Sequence, residues 1–456
     1  MRNGPGDALF TDLYELTMCA GYVRAGMADR MATFDLFVRR MPDQRQFLVA
    51  AGLDDALEFL EHLSIDSSGI DHLRSTGLFD DHALGAFADL RFTGEVRAVA
   101  EGEVVFANEP ILSVTAPLLQ AQVIETRLIN LIGSQSMVAS KAARVSIACG
   151  DRAFVDFSAR RDHGGDAAMQ AARCSWIGGA AGTSLVSAGQ RWGIPLSGTM
   201  AHAFVMSFED ESDAFRSFAR TFPDGAVLLI DTYDTEVGAR RVVEVADELR
   251  AEGVTISGVR LDSGDLVHLS KSVRTILDDG GLADASIFAS GDLDEYRITE
   301  ILAAGAPIDA FGVGTQLGTS ADAPTLGAVY KLVADETGPK IKLAEDKVTL
   351  PGHKQVWRVD GPDGTAKYDV VALSDEEPPS PTARALLATV MRDGHRVEHD
   401  VPLDAARERC RAALTSLPTR LRSLQQRERS YEVRTSARLD TLLADLTARR
   451  QDARPT

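Results

Sequence analysis

An α/β fold organised around an irregular barrel of parallel strands is the architecture this sequence predicts, and three observations predict it. Between about residues 150 and 333, short β-rich runs alternate with amphipathic helical segments. Strand–helix units repeated at that length build a parallel sheet. Residues 1–115 read instead as mixed α and β, and the alternation stops after about residue 340. Six units in succession favour a (β/α) barrel, with an open doubly wound sheet as the alternative. The expected divisions are an N-terminal α/β domain over 1–115, a barrel over 116–340 and a C-terminal segment over 341–456.

In chain order, Asp12 and Glu15 have capping-box spacing at the start of a helix running to about Gly21. A strand is expected at Ala32–Val38 and a helix at Leu53–Leu63. Arg97–Val114 is rich in Val and Phe, is punctuated by Gly102 and Pro110, and reads as short strands. The barrel strands fall at Ala153–Phe157, Pro195–Thr199, Ala226–Ile230, Ile256–Arg260, Ser286–Ala289 and Ala310–Val313. Val242, Val245, Ala246 and Leu249 give one intervening helix its buried stripe. Gln355–Val359 and Lys367–Leu373 read as a β-hairpin around Asp360–Thr365. The Arg- and Glu-rich tail from Leu403 to Arg450 reads as a pair of surface helices, with a frayed end at Gln451–Thr456.

Bulk properties remove several function classes. The chain of 456 residues is 45% hydrophobic and 25% charged, an ordinary globular balance. Its formal charge of -19 disfavours non-specific nucleic-acid binding, which needs a basic surface. No apolar run approaches the ~18 residues that span a bilayer, and the start of the chain carries no signal-peptide stretch. Cys19, Cys149, Cys174 and Cys410 form no CxxC pair. Reduced thiols and the lack of a leader make a cytoplasmic protein the expectation.

The chemistry sits at the strand ends, which form the catalytic face of such a barrel. In order, these positions carry Ser158, Arg160 and Arg161; Gly198, Thr199 and His202; Asp231, Thr232 and Asp234; Arg260, Asp262, Ser263, Gly264 and Asp265; Ser290, Gly291 and Asp292; and Gly312, Gly314 and Thr315. Any one cluster can be a helix cap or a tight turn, but six on one face point to a site. Glycines there let backbone approach an anion. Asp231 and Asp262 could hold Mg²⁺ against phosphate oxygens. Arg160, Arg161 and Arg260 could grip a carboxylate or phosphate. His202 is open to two readings, a structural hydrogen-bonder or a nucleophile toward phosphorus. There is no GxxxxGK[ST], so a P-loop enzyme is out.

Several stretches together resemble one known family. They are Thr-Asp-Leu-Tyr-Glu-Leu-Thr-Met at 11–18, Phe-Asp-Leu-Phe-Val-Arg at 34–39, and Asp-Phe-Ser-Ala-Arg-Arg at 156–161. They continue with Ser-Gly-Thr-Met-Ala-His at 197–202, Gly-Val-Arg-Leu-Asp-Ser-Gly-Asp at 258–265, Phe-Gly-Val-Gly-Thr at 311–315, and the run at 347–356. In these the chain resembles the nicotinate phosphoribosyltransferases. The resemblance implies the type II phosphoribosyltransferase barrel preceded by an α/β domain, in a homodimer with active sites shared between subunits. It implies that nicotinate and phosphoribosyl pyrophosphate give nicotinate mononucleotide and pyrophosphate in NAD salvage, with Mg²⁺ and with ATP as co-substrate. ATP use would pass through phosphorylation of His202. Nicotinate contacts carry over to Tyr14 (from the neighbouring subunit), Phe157, Arg160, Thr199 and Arg260. Phosphoribosyl contacts carry over to Asp262, Gly291, Gly314 and Thr315, with Arg161, Ser263 and Gly264 beside them.

One departure from the family pattern is Leu185, which follows Gly182-Thr183-Ser184 where Asn is common. The basic strip at Lys342, Lys347 and Lys354 receives no role. The alternatives are transfer to nicotinamide or quinolinate, a phosphate-binding aldolase or isomerase barrel, and a non-catalytic binding protein. An aldolase or isomerase would want a Lys or Glu at a strand end, and neither is present in the six clusters.

Overall fold

The Phe- and Val-rich runs near the N-terminus form strands because β-branched and aromatic side chains pack well on a pleated surface. In a computed structural model, which describes residues 4, 6–343, 349–397, 402–424 and 431–452, the chain divides into two units. One comprises residues 1–140 and 325–456, the other residues 141–324. The segment after 341 thus shares a unit with the N-terminal region. Lys347 and residues 453–456 of the expected frayed end lie outside the described residues.

The first unit is built on a seven-stranded sheet. Inside it Met31–Val38 runs antiparallel to Pro110–Pro117 on one side and Ala328–Asp335 on the other. All but the first residue of that interior strand are buried. The hairpin forms as expected, Lys354–Asp360 against Ala366–Leu373. The tail does not form only helices. Helices span Leu403–Ser416 and Ala437–Asp452, but Val433–Thr435 is a strand added in parallel to Ala366–Leu373. A sheet edge offers unpaired N–H and C=O groups, and the Val433–Thr435 stretch fits it. Arg358 pins this region. Its buried guanidinium holds Asp369 through Nη2 at 2.6 Å and Glu103 through Nη1 at 2.9 Å, and Tyr431 donates to Asp369 at 2.9 Å.

The expected capping box is also absent. The first helix spans Leu13–Arg24, and the Asp12 side chain makes no cap bond. Asp12 instead turns toward Thr126, its Oδ2 2.9 Å from Thr126 Oγ1 and its backbone N–H donating to that hydroxyl oxygen at 3.3 Å. Glu15 is fully buried and accepts from the Thr126 N–H at 3.0 Å, from the Thr126 hydroxyl at 2.5 Å and from the Thr11 hydroxyl. A buried carboxylate needs donors, and Thr126 supplies two that the local helix could not.

The second unit carries a six-stranded, all-parallel sheet: β1 (Ala153–Asp156), β2 (Gly182–Thr183), β3 (Ala226–Leu229), β4 (Ile256–Leu261), β5 (Ser286–Ala289) and β6 (Ala310–Val313). The spatial order is β2-β1-β6-β5-β4-β3. The first strand pairs with the last, so the order is that of a barrel with a single seam, between β2 and β3, left unpaired. This settles the choice against the doubly wound sheet. The expected strand Pro195–Thr199 is reduced to one bridge, Leu196 opposite Thr183. The chain between β2 and β3 fills the seam with short helices at Val186–Trp192, His202–Met206 and Glu211–Thr221. The core beneath is a continuous apolar cluster that includes Phe154, Leu228, Val259, Ile287 and Phe311.

Glu15 yields a pH-dependent stability. Burial pushes its carboxyl up to about 7, against the lowering pull of Thr11 and Thr126. The folded chain therefore holds an extra proton between the unfolded value of ~4.3 and about 7, and Glu15 costs stability as pH rises through that window. Glu15→Gln is expected to match the wild type near pH ~4.5 and to exceed it near pH ~8 in urea-unfolding midpoints. A difference that stays constant across this range would refute the assignment.

Candidate active site

Arg260, next to last in β4, is the hub of the strand-end face. Its side chain is 11% exposed. Nε donates to Ser290 Oγ at 2.8 Å, Nη1 to Thr199 Oγ1 at 3.3 Å and to the Met200 carbonyl at 3.4 Å, and Nη2 to Asp262 Oδ1 at 2.6 Å. One guanidinium thus ties together the loop after β4, the loop after β5 and the segment that fills the seam. Part of its five-donor fork remains for a ligand.

Phe157, immediately after β1, lies below this guanidinium, whose Cζ is 5.5 Å from the ring centroid. Phe288 of β5 is tilted against it, centroids 5.6 Å apart. The two rings share a floor at Gly312 of β6. A Cβ there would stand 2.6 Å from Phe157 and 2.9 Å from Phe288. A glycine at that point lets a half-buried aromatic face lie flat beside a cation, a setting for a planar anionic ring.

The carboxylates sit alongside. Asp231, just after β3, accepts through Oδ2 from the Asp262 N–H and the Ser263 hydroxyl, each at 2.8 Å. Its Oδ1 is buried and has no hydrogen-bond partner among the described residues. Asp262 accepts the Ser290 hydroxyl at 2.5 Å. Burial would raise its carboxyl. The Ser290 hydrogen bond, the Arg260 guanidinium and His202 outweigh that and hold it below the usual carboxylate range, so it stays ionised at neutral pH. His202 opens the helix His202–Met206. Its Nδ1 lies 3.1 Å from Thr232 Oγ1, and its Nε2 lies 3.8 Å from Asp262 Oδ2.

Phe157, Thr199, His202, Asp231, Arg260, Asp262 and Ser263 are therefore brought together by direct contacts. Gly291 has φ +95°, and a Cβ on it would stand 2.0 Å from the Asp262 carbonyl oxygen, so it allows the loops after β4 and β5 to touch. Gly264 also adopts positive φ. Gly314 precedes the short helix Thr315–Gly318, and Thr315 is exposed. Arg160 and Arg161 are exposed on the loop after β1. Tyr14, 46% exposed, belongs to the other unit, where burial and the neighbouring Glu125 and Glu15 push its phenol up and keep it protonated. Asp234 and Asp265 are helix caps, accepting from Val237 N–H at 2.9 Å and Val267 N–H at 3.1 Å.

Phe288 and the paired role of Ser290 escaped the sequence reading of the site. The period-2 alternation of a strand is the signal that could have flagged Phe288, since it puts Phe288 on the face of Ser286 and away from Ile287 and Ala289, which are buried. Among the described residues no group of three or more His, Cys, Asp or Glu side chains could hold a metal ion by itself, and no helix is long and apolar enough to cross a membrane.

Known proteins of one family match this chain over most of its length. Residues 9–133 match the nicotinate phosphoribosyltransferase (NAPRTase) N-terminal domain, and residues 152–354 match the nicotinate phosphoribosyltransferase (NAPRTase) family. A nicotinate phosphoribosyltransferase of Mycobacterium tuberculosis is 46% identical over 443 residues, covering 96% of this chain and 94% of the relative. One from Bacillus subtilis is 44% identical over 378 residues, covering 81% and 77%. The crystal structure of human nicotinic acid phosphoribosyltransferase superposes with a TM-score of 0.85 at 29% identity, covering 96% of this chain and 99% of that one.

The aromatic floor makes a direct prediction. Gly312→Ala must displace Phe157 or Phe288, at a cost of about 1–3 kcal/mol for overpacking. Denaturant unfolding should show that loss, and near-UV circular dichroism should change with it. An unchanged aromatic spectrum and stability would mean that the rings do not rest on Gly312.

Proposed function

The chain belongs to the nicotinate phosphoribosyltransferase family, and from that premise we propose that it joins nicotinate to phosphoribosyl pyrophosphate, with hydrolysis of ATP to ADP and phosphate coupled to the transfer. The products are nicotinate mononucleotide and pyrophosphate. The observation that carries this reading is the stack of Arg260 over Phe157 beside Thr199, which suits a flat ring bearing a carboxylate.

The pyridine nitrogen attacks C1 of the ribose as the C1–oxygen bond to pyrophosphate breaks. The transition state carries oxocarbenium character, so the protein contributes mainly position and charge. Phe157 holds the ring face. Arg260, and Arg160 from the loop after β1, pair with the carboxylate, and Thr199 hydrogen-bonds it. Arg161, Ser263, Gly264, Gly291, Gly314 and Thr315 surround the phosphoribosyl and pyrophosphate groups. Tyr14 contacts the nicotinate of a neighbouring subunit in a homodimer.

Asp231 suits Mg²⁺ through its buried Oδ1, which has no partner among the described residues, and Asp262 suits it through the oxygen that faces His202. The ion, when bound, would neutralise charge on the departing pyrophosphate. His202 accepts the ATP γ-phosphoryl group. Thr232 engages Nδ1, which leaves Nε2 as the nucleophile, and water later releases the phosphate. Phosphate on His202 would add negative charge near the carboxylates suited to Mg²⁺ and tighten the substrate complex, and its hydrolytic loss would favour pyrophosphate release. A cytoplasmic setting accords with four cysteines that are all buried and form no CxxC pair.

Incubation with nicotinate, phosphoribosyl pyrophosphate and Mg²⁺ should yield nicotinate mononucleotide, faster with ATP, with an acid-labile phosphate on the protein. Nicotinamide and quinolinate assayed side by side should be poorer acceptors, and a preference for either would displace this reading. His202→Ala should abolish both the labile phosphate and the ATP stimulation while a basal rate remains. Full ATP stimulation in that variant would rule out the phosphohistidine.

A further inference from the structure

A second polar layer lies behind the site in the unit of residues 141–324. Asp156, the buried last residue of β1, accepts the Ser158 N–H at 2.9 Å through Oδ1 and the Thr183 hydroxyl at 2.8 Å through Oδ2. Thr183 Oγ1 accepts the Leu185 N–H at 3.1 Å. Ser158, also buried, donates its hydroxyl to Asp162 Oδ2 at 3.0 Å. The other oxygen of Asp162 is buried, has no hydrogen-bond partner among the described residues, and rests on Gly318, where a Cβ would stand 1.8 Å from it. The series Gly318, Asp162, Ser158, Asp156, Thr183, Leu185 therefore links the loops after β6, β1 and β2.

The loop after β1 bears Arg160 and Arg161. Both side chains are exposed, so their own packing does not set its shape. It is closed by the Arg161 N–H on the Ser158 carbonyl at 2.7 Å, the Gly164 N–H on the Asp162 carbonyl at 2.9 Å, and the Asp162 side chain. We propose that Asp162 is a positioning residue for phosphoribosyl pyrophosphate, fixing the Arg160–Arg161 turn against the segment that starts at Gly314 and Thr315. This rests on the reading of Arg161, Gly314 and Thr315 as contacts of that substrate.

Protonation bears on the same geometry. Burial lifts the Asp162 carboxyl to about 6; Asp156 adds to the rise, while Ser158 and His163 oppose it. Residues 315–318 bring no ionisable side chain, so Asp156 and His163 are the charged groups that act on it. The neutral acid spares Oδ1 a bare buried charge, so the turn is held best when Asp162 is protonated.

The test is the affinity for phosphoribosyl pyrophosphate from pH ~5.5 to ~8, read as KM in turnover and as Kd by calorimetry without nicotinate. Both should weaken with rising pH in the wild type. Asp162→Asn, neutral throughout and still an acceptor for Ser158, should flatten that trend. The titration of the substrate itself is common to both proteins and cancels in the comparison. Asp162→Ala and Gly318→Ala should each weaken binding about tenfold, with kcat changed less than about threefold. The double variant should be no worse than the poorer single, because both break one contact. Parallel pH trends in wild type and Asp162→Asn, additive losses, a fall in kcat alone, or no binding by the wild type would each overturn the proposal. Failure to turn over nicotinate, with the calorimetric pattern intact, would instead overturn the functional reading and leave Asp162 in its role. Gly318→Ala keeps the test open should Asp162→Ala not fold.

Discussion

The strand-end face depends on one permanently charged group, the Arg260 guanidinium. Arginine cannot shed its proton in a protein, so its partners must adapt to it. Asp262 is held ionised, Ser290 turns its hydroxyl onto that carboxylate, and the Thr199–Met200 segment is drawn to the remaining donors. The same cation lies over Phe157. These groups come from four separate stretches of chain. A site held this way is organised before any ligand arrives, which is where electrostatic catalysis gains most.

The second constraint is the seam in the parallel sheet. β1 pairs with β6, yet β2 and β3 do not pair. Leu196 alone bridges to Thr183 where a further strand would run. His202 comes from the chain that fills this gap, and a regular strand there would carry the segment past Arg260 and Thr232 in extended form. The irregularity and the placement of the histidine are thus one feature.

Local pattern served well where a strand is buried and bounded. Ser286–Ala289 and Ala310–Val313 are strands at the residues expected, because short apolar runs between turn signals have few alternatives. It failed where tertiary partners outbid local ones. Pro195–Thr199 has strand-like residues but no neighbour to pair with along its length. Glu15 has the spacing of a cap, yet burial turned it toward Thr126. Val433–Thr435 lies within a helical-looking tail but found the open edge beside Ala366–Leu373.

The sequence by itself determined the α/β repeat and the family, and it marked the strand-end residues that meet around Arg260, because strand-end chemistry is written in consecutive residues. Only the tertiary structure decided how those residues are used. It showed Arg260 bound to groups 61 positions away at Thr199 and 30 away at Ser290. It showed Phe288 beside Phe157, and Asp231 and Asp162 each with a buried oxygen that has no hydrogen-bond partner among the described residues. Burial and the meeting of distant loops set these states, and neither is expressed in the spacing of neighbours along the chain.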